Sequence, residues 1–205
     1  MSRTALFVID IQHALASDPS TQIPHAARIV DAGTRILAHS RALIGKSHTC
    51  GSTPDLEIIV VQHEETPDRG NLQRGSRAWE LVFPPLADEY LVSKDVRKST
   101  YPKALDMAER AGDTFSSNPS LADELHARNV GTIVAFGIQS ECCVLSTCRG
   151  ALAAGFKVIL LKGAHSTYDS GSKTALEIEK GVETHNAVCN GARVIPVRPK
   201  YSIPS

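Results

Sequence analysis

Two short segments carry residues able to do chemistry. The first is Ala5-Leu6-Phe7-Val8-Ile9-Asp10, an apolar run that ends in a carboxylate. Asp10 is a candidate catalytic carboxylate there; a helix cap or a surface ion pair is its structural alternative. The second is Gly137-Ile138-Gln139-Ser140-Glu141-Cys142-Cys143-Val144. Gly137 permits a tight turn. A cysteine in the helical turn that follows lies at the positive end of the helix dipole, which favours thiolate over thiol. Backbone N–H groups of the same turn can hold a developing oxyanion. The segment can therefore supply both a nucleophile and its oxyanion hole. Adjacent cysteines leave a helix in different directions, so at most one of Cys142 and Cys143 is expected to face a pocket. Two small buried hydrophobes are the structural alternative.

Eight histidines raise the question of a metal. No His-x-x-x-His or Cys-x-x-Cys spacing is present, which argues against zinc. The best local cluster is Gln62-His63-Glu64-Glu65. The dinucleotide fingerprint, the phosphate loop and the Gly-x-Ser-x-Gly elbow are absent from the sequence.

The elements that must position these residues alternate. Short apolar runs at Ala5–Ile9, Ile58–Val61, Tyr90–Val92, Ile133–Phe136, Val158–Leu161 and Val194–Val197 predict six strands. Helical spacing joins Ala26, Ile29, Val30, Gly33, Ile36 and Leu37. Further helices are predicted at Leu121–Arg128, capped by Asn118 or Ser120, at Cys142–Ala154 and at Lys173–His185. Near-continuous apolar strands imply burial on both faces, and helices between them supply the cover. The expectation is a three-layer α/β/α sandwich around a six-stranded, mostly parallel sheet. Ligands in such sheets sit beyond the carboxyl ends of the strands, here after Ile9, Val61, Val92 and Phe136. Gln62–Glu89 and Ser93–Ser117 read as long loops over a pocket.

Composition sets outer limits. The chain has 205 residues, with 22 Lys+Arg against 22 Asp+Glu. That length fits one domain, and the charge balance gives no basic face for nucleic acid or a membrane surface. No apolar run is long enough to span a bilayer, and Asp10 interrupts the first run too early for a secretory signal. Five cysteines, an odd number, do not suggest a disulfide framework. A reducing, cytoplasmic setting is expected.

Taken together, these segments resemble the isochorismatase-like cysteine hydrolases over nearly the whole chain, as one domain spanning 1–205. Ala5 to Gln12 is similar to the family's opening strand, which ends in Asp with Gln two residues later. Gly137 to Val144 is similar to its nucleophile turn. Thr147, Ala151, Gly155-Phe156-Lys157-Val158 and Ser166-Thr167-Tyr168-Asp169 extend the likeness. The resemblance implies the Rossmann-like hydrolase fold and an Asp-Lys-Cys triad. Asp10 and Cys143 carry over, Cys143 being the cysteine that precedes Val. Lys94 closes the third strand ahead of Asp113-Thr114-Phe115, with Lys98 as the alternative beyond an insertion.

The resemblance also implies a cis peptide at Ile138–Gln139. It implies a substrate-binding set of Gln12, His63, Trp79, Ile138, Gln139 and Tyr168. One branch of the family binds metal through an Asp-x-His pattern in the region of His63. Gln62 and Glu64 flank His63 instead, so no metal and no cofactor are expected. The implied activity is C–N hydrolysis of a small amide or carbamoyl compound through a thioester, by a homo-oligomer (dimer or tetramer). Vinyl-ether hydrolysis, a non-catalytic binding module and a thiol-redox protein are the alternatives.

Overall fold

Six aliphatic runs pair into a single sheet, and the chain between them folds back as helices. The computed structural model describes residues 2–95, 113–189 and 191–197. The first half contains β1 (Arg3–Ile9), α1 (His13–Ala16), α2 (Ala26–Thr49), β2 (Leu56–Glu64), a 3-10 turn (Arg77–Trp79) and β3 (Tyr90–Asp95). After residue 112 come α3 (Thr114–Ser117), α4 (Leu121–Ala127) and β4 (Val130–Ile138). A π turn (Ser140–Val144) then leads into α5 (Leu145–Ala153), followed by β5 (Lys157–Ser166), α6 (Ala175–Cys189) and β6 (Arg193–Pro196).

The sheet order is β3-β2-β1-β4-β5-β6, and every neighbouring pair is parallel. Strand alternation splits the core in two. Phe7, Ile9, Val61 and Ile133 face Phe115, Leu125, Cys148 and Ala151 from α3, α4 and α5. Leu6, Val8, Val60 and Phe136 face Ile29, Ala32 and Leu37 of α2. This is the expected three-layer α/β sandwich.

The chain winds from β1 outward through β2 to β3, then crosses to β4 on the other side of β1. That crossing is the switch point, where the strand ends diverge and leave a crevice. Gly137 is required there. Its φ is +141°, and a Cβ would lie 2.0 Å from the Ile9 carbonyl oxygen. A side chain would force β4 away from β1 in the middle of the sheet. The next peptide, Ile138–Gln139, is cis.

Several boundaries differ from the sequence reading. Gln62, His63 and Glu64 belong to β2, and Ser93–Asp95 belong to β3, so both expected loops start later. Parallel pairing of His63 with Lys94 extends both strands past their apolar runs. Ser120 precedes α4, but its hydroxyl bonds Glu124 Oε1 rather than a backbone N–H. The helix expected from Cys142 opens as the π turn from Ser140 and becomes α-helical at Leu145. Among the described residues, no helix is long and apolar enough to cross a membrane.

Candidate active site

The carboxyl ends of β1, β3 and β4 meet at one point. Asp10 follows β1 with φ +50°, a left-handed conformation that Asp adopts more readily than most residues. Its N–H bonds the Val61 carbonyl at 3.1 Å, and its own carbonyl accepts from the Gln12 N–H at 2.9 Å. The chain thus turns sharply off the strand while the Asp10 side chain stays buried, 1% exposed.

Lys94 lies on β3 in register with His63. Alternation puts it on the same face as Val92, which packs against the α3–α5 side of the core. Its side chain is fully buried, and Nζ donates to Asp10 Oδ2. An ammonium without water is tolerated only when such a partner is present. Burial works to lower the Lys94 pKa, but the charges of Asp10 and Cys143 outweigh it, and the net direction is up.

Cys143 stands on the π turn, partly buried, with Asp10 and Lys94 both acting on its thiol. Burial first, opposed by Lys94 and reinforced by Asp10, leaves the thiol pushed up to about 12. At neutral pH the free protein therefore holds a thiol here, and a reaction through sulfur requires a base to take the proton. The helix-terminus argument for a standing thiolate does not survive desolvation at this position.

Asp10 and Cys143 border an open pocket of about 380 Å³, with Lys94 behind Asp10. His63, Ile138, Gln139 and Tyr168 line it as well. The Tyr168 hydroxyl donates to the Thr21 carbonyl. Gln12 and Trp79 are not among the lining residues. Gln12 is wholly buried; its amide donates to the His63 and Trp79 carbonyls at 2.9 Å and accepts the His63 N–H at 3.0 Å. It ties the 3-10 turn to the end of β2. Trp79 enters that tie through its backbone oxygen, which also accepts from Gln62 Nε2 at 2.9 Å.

Cys142 lines the pocket too, on its exposed side. The expectation that at most one of the two cysteines faces the pocket is corrected: both border it, standing on a π turn rather than on the regular helix that argument assumed. Lys98, the alternative lysine, lies outside the described residues. Gln62 and Glu64 point away, the second paired with Arg74 at 2.9 Å. Among the described residues, no three His, Cys, Asp or Glu side chains are grouped to hold a metal ion. His63 and Glu65 alone do not fit a metal centre.

Sequence reasoning missed part of the wall. Glu65, Asn71 and Leu72 line the pocket. Period-two alternation at the end of β2 was the available signal, since it puts Glu65 on the side of His63. The support under the π turn was also missed. Ser140 Oγ and His165 Nδ1 are 2.8 Å apart and both residues are fully buried. Thr167 donates to Glu141 Oε1 at 2.8 Å. No pattern in either segment forecasts these pairings, which need β5 laid beside β4.

Comparison with known proteins gives the family and the fold. The isochorismatase domain model matches residues 4–190, and the chain belongs to that family. A streptothricin hydrolase of Streptomyces noursei is 29% identical over 167 residues, 80% of this chain and 50% of that protein. The chain thus spans about half the length of the curated relatives it matches. A crystal structure of an isochorismatase family protein superposes with a TM-score of 0.69 at 25% identity, covering 95% of this chain and 98% of that one. N-carbamoylsarcosine amidase of Thermoplasma acidophilum shares the fold, with a TM-score of 0.66 at 20% identity and coverage of 95% and 96%.

Proposed function

We propose that this chain is a hydrolase that cleaves a C–N bond of a small amide or carbamoyl compound, with Cys143 as nucleophile. The observation that carries this reading is the meeting of Asp10, Lys94 and Cys143 at one pocket from three separate strand ends. Relatives named for hydrolysis of streptothricin and for an amidase acting on N-carbamoylsarcosine support the class.

The reaction has two halves. Asp10 takes the Cys143 proton as sulfur attacks the carbonyl carbon, so the thiolate forms only as it is used. The Lys94 ammonium compensates the negative charge that passes between carboxylate and sulfur. Backbone N–H groups around Gln139 and Cys143 stabilise the tetrahedral oxyanion, each donor contributing about 3 kcal/mol. Asp10 returns the proton to the leaving nitrogen, the C–N bond breaks, and a thioester remains. Asp10 then removes a proton from water as its oxygen adds to the thioester. Collapse expels sulfur, which regains the proton, and the free acid leaves.

The test is ammonia or amine release from a panel of small amides, ureido acids, nicotinamide, N-carbamoylsarcosine and streptothricin, with and without a chelator. Cys143→Ala is expected to lose release by at least about 10³-fold, with the wild type indifferent to chelator. Release that survives in Cys143→Ala contradicts the nucleophile, and release abolished by chelator contradicts metal-free chemistry.

A further inference from the structure

The pocket has an asymmetry of charge that the triad does not use. Among its described lining residues the formally charged side chains are Asp10 and Glu65, and no lysine or arginine lines it. Asp10 is neutralised from behind by Lys94. Among the described residues no lysine or arginine is paired with Glu65; the basic group beside it is His63. Of the arginines in the loop that follows, Arg69 is exposed, Arg74 is paired with Glu64, and Arg77 Nε bonds His13 Nε2 at 3.2 Å.

The Glu65 carboxylate is held in place by the loop that follows it. Its N–H donates to the Leu72 carbonyl at 2.9 Å, and Oε2 accepts the Leu72 N–H at 3.0 Å. Gly70 lies flat against it: a Cβ there would come within 1.9 Å of Oε2. Oε1 has His63 Nε2 at 3.8 Å, an ion-pair distance when the imidazole is protonated. Asn71 lines the same wall. His63 first, and then the Leu72 N–H, hold Glu65 below the ordinary carboxylate range, so it is ionised throughout neutral pH.

We infer that the substrate carries an ammonium or similar cationic group, which pairs with Glu65 while its amide carbon meets Cys143. This rests on the amide-hydrolase reading and names its substrate class. A carboxylate substituent would instead bring a second negative charge against Glu65, with no lysine or arginine among the described lining residues to receive it. Discrimination then comes from repulsion as much as from attraction.

Three amides of similar length separate the charge from the reaction: β-alaninamide (cationic), butyramide (neutral) and succinamate (anionic). kcat/KM is measured for each with the wild type and with Glu65→Gln, which keeps an acceptor for the Leu72 N–H. Binding of the same three to Cys143→Ala is measured by calorimetry in parallel. Wild type is expected to favour β-alaninamide over butyramide by about tenfold or more, with succinamate last, and Glu65→Gln to bring the first ratio towards one. A preference for succinamate, a ratio that Glu65→Gln does not move, or binding of none of the three overturns the inference. Binding in the expected order without turnover of any amide defeats the hydrolase reading and leaves the charge preference standing.

Discussion

At the scale of residues, the site is held by a buried ion pair that serves two ends. Asp10 and Lys94 are 1% and 0% exposed, so each is the other's replacement for water. Removing one partner strands the other. Lys94→Met is expected to cost about 3–5 kcal/mol in urea unfolding and to abolish turnover. Adding Asp10→Asn to Lys94→Met removes the stranded charge and is expected to restore most of that stability with no activity. Equal stability losses that simply add would show that the pair is not coupled. Asp10 and Cys143 were legible because their neighbours are distinctive: an apolar run that stops at a carboxylate, and a glycine turn ahead of Cys-Val. Lys94 was legible only as the end of a weak strand. The thiol's resting state was not legible, because a helix terminus argues for thiolate and burial argues against it. Only the packed structure says which is larger.

At the scale of elements, the position of the nucleophile depends on strands and turns rather than on the cysteine itself. β4 must lie against β1 closely enough that Gly137 cannot carry a side chain. The π turn is then pinned from below by Ser140 and His165, with β5 supplying the histidine. Burial first, with the charges of Arg28 and Lys162, lowers the His165 pKa to about 4 from an ordinary 6.5. Between those values the unfolded chain binds a proton that the native state refuses. Stability from this group is therefore complete above pH 6.5 and falls as pH drops towards 4, by about 3 kcal/mol. Urea unfolding at pH 7 and pH 4.5 should show that loss in the wild type and a smaller one in His165→Asn. The same pH slope in both would contradict the assignment. Strand positions were readable from apolar runs. Strand ends were not, because Gln62 to Glu64 and Ser93 to Asp95 are polar residues kept extended by pairing with each other. The tie from Gln12 to His63 and Trp79 was equally hidden, since it runs through backbone atoms that carry no sequence signature.

At the scale of the whole molecule, topology does what no local motif can. Residues 10, 94 and 143 are brought together because β1 is central, β3 lies two strands to one side and β4 lies adjacent on the other. The winding reverses at β1, and the crevice this opens becomes the pocket. The alternation of strand and helix made that architecture readable, and with it the edge of the sheet to search. What the cavity admits was not readable, because Glu65, Asn71 and Leu72 reach it from a loop whose course depends on its own hydrogen bonds. The proposed reaction passes through a covalent bond to Cys143 and not to its more exposed neighbour Cys142. Acid-quenched turnover of the best amide in the panel, followed by intact-mass and peptide mass spectrometry, tests it most directly. The expected result is an acyl adduct on Cys143 that hydroxylamine removes, present in Cys142→Ala and absent in Cys143→Ala together with activity. An adduct on Cys142, or full turnover by Cys143→Ala, would contradict it.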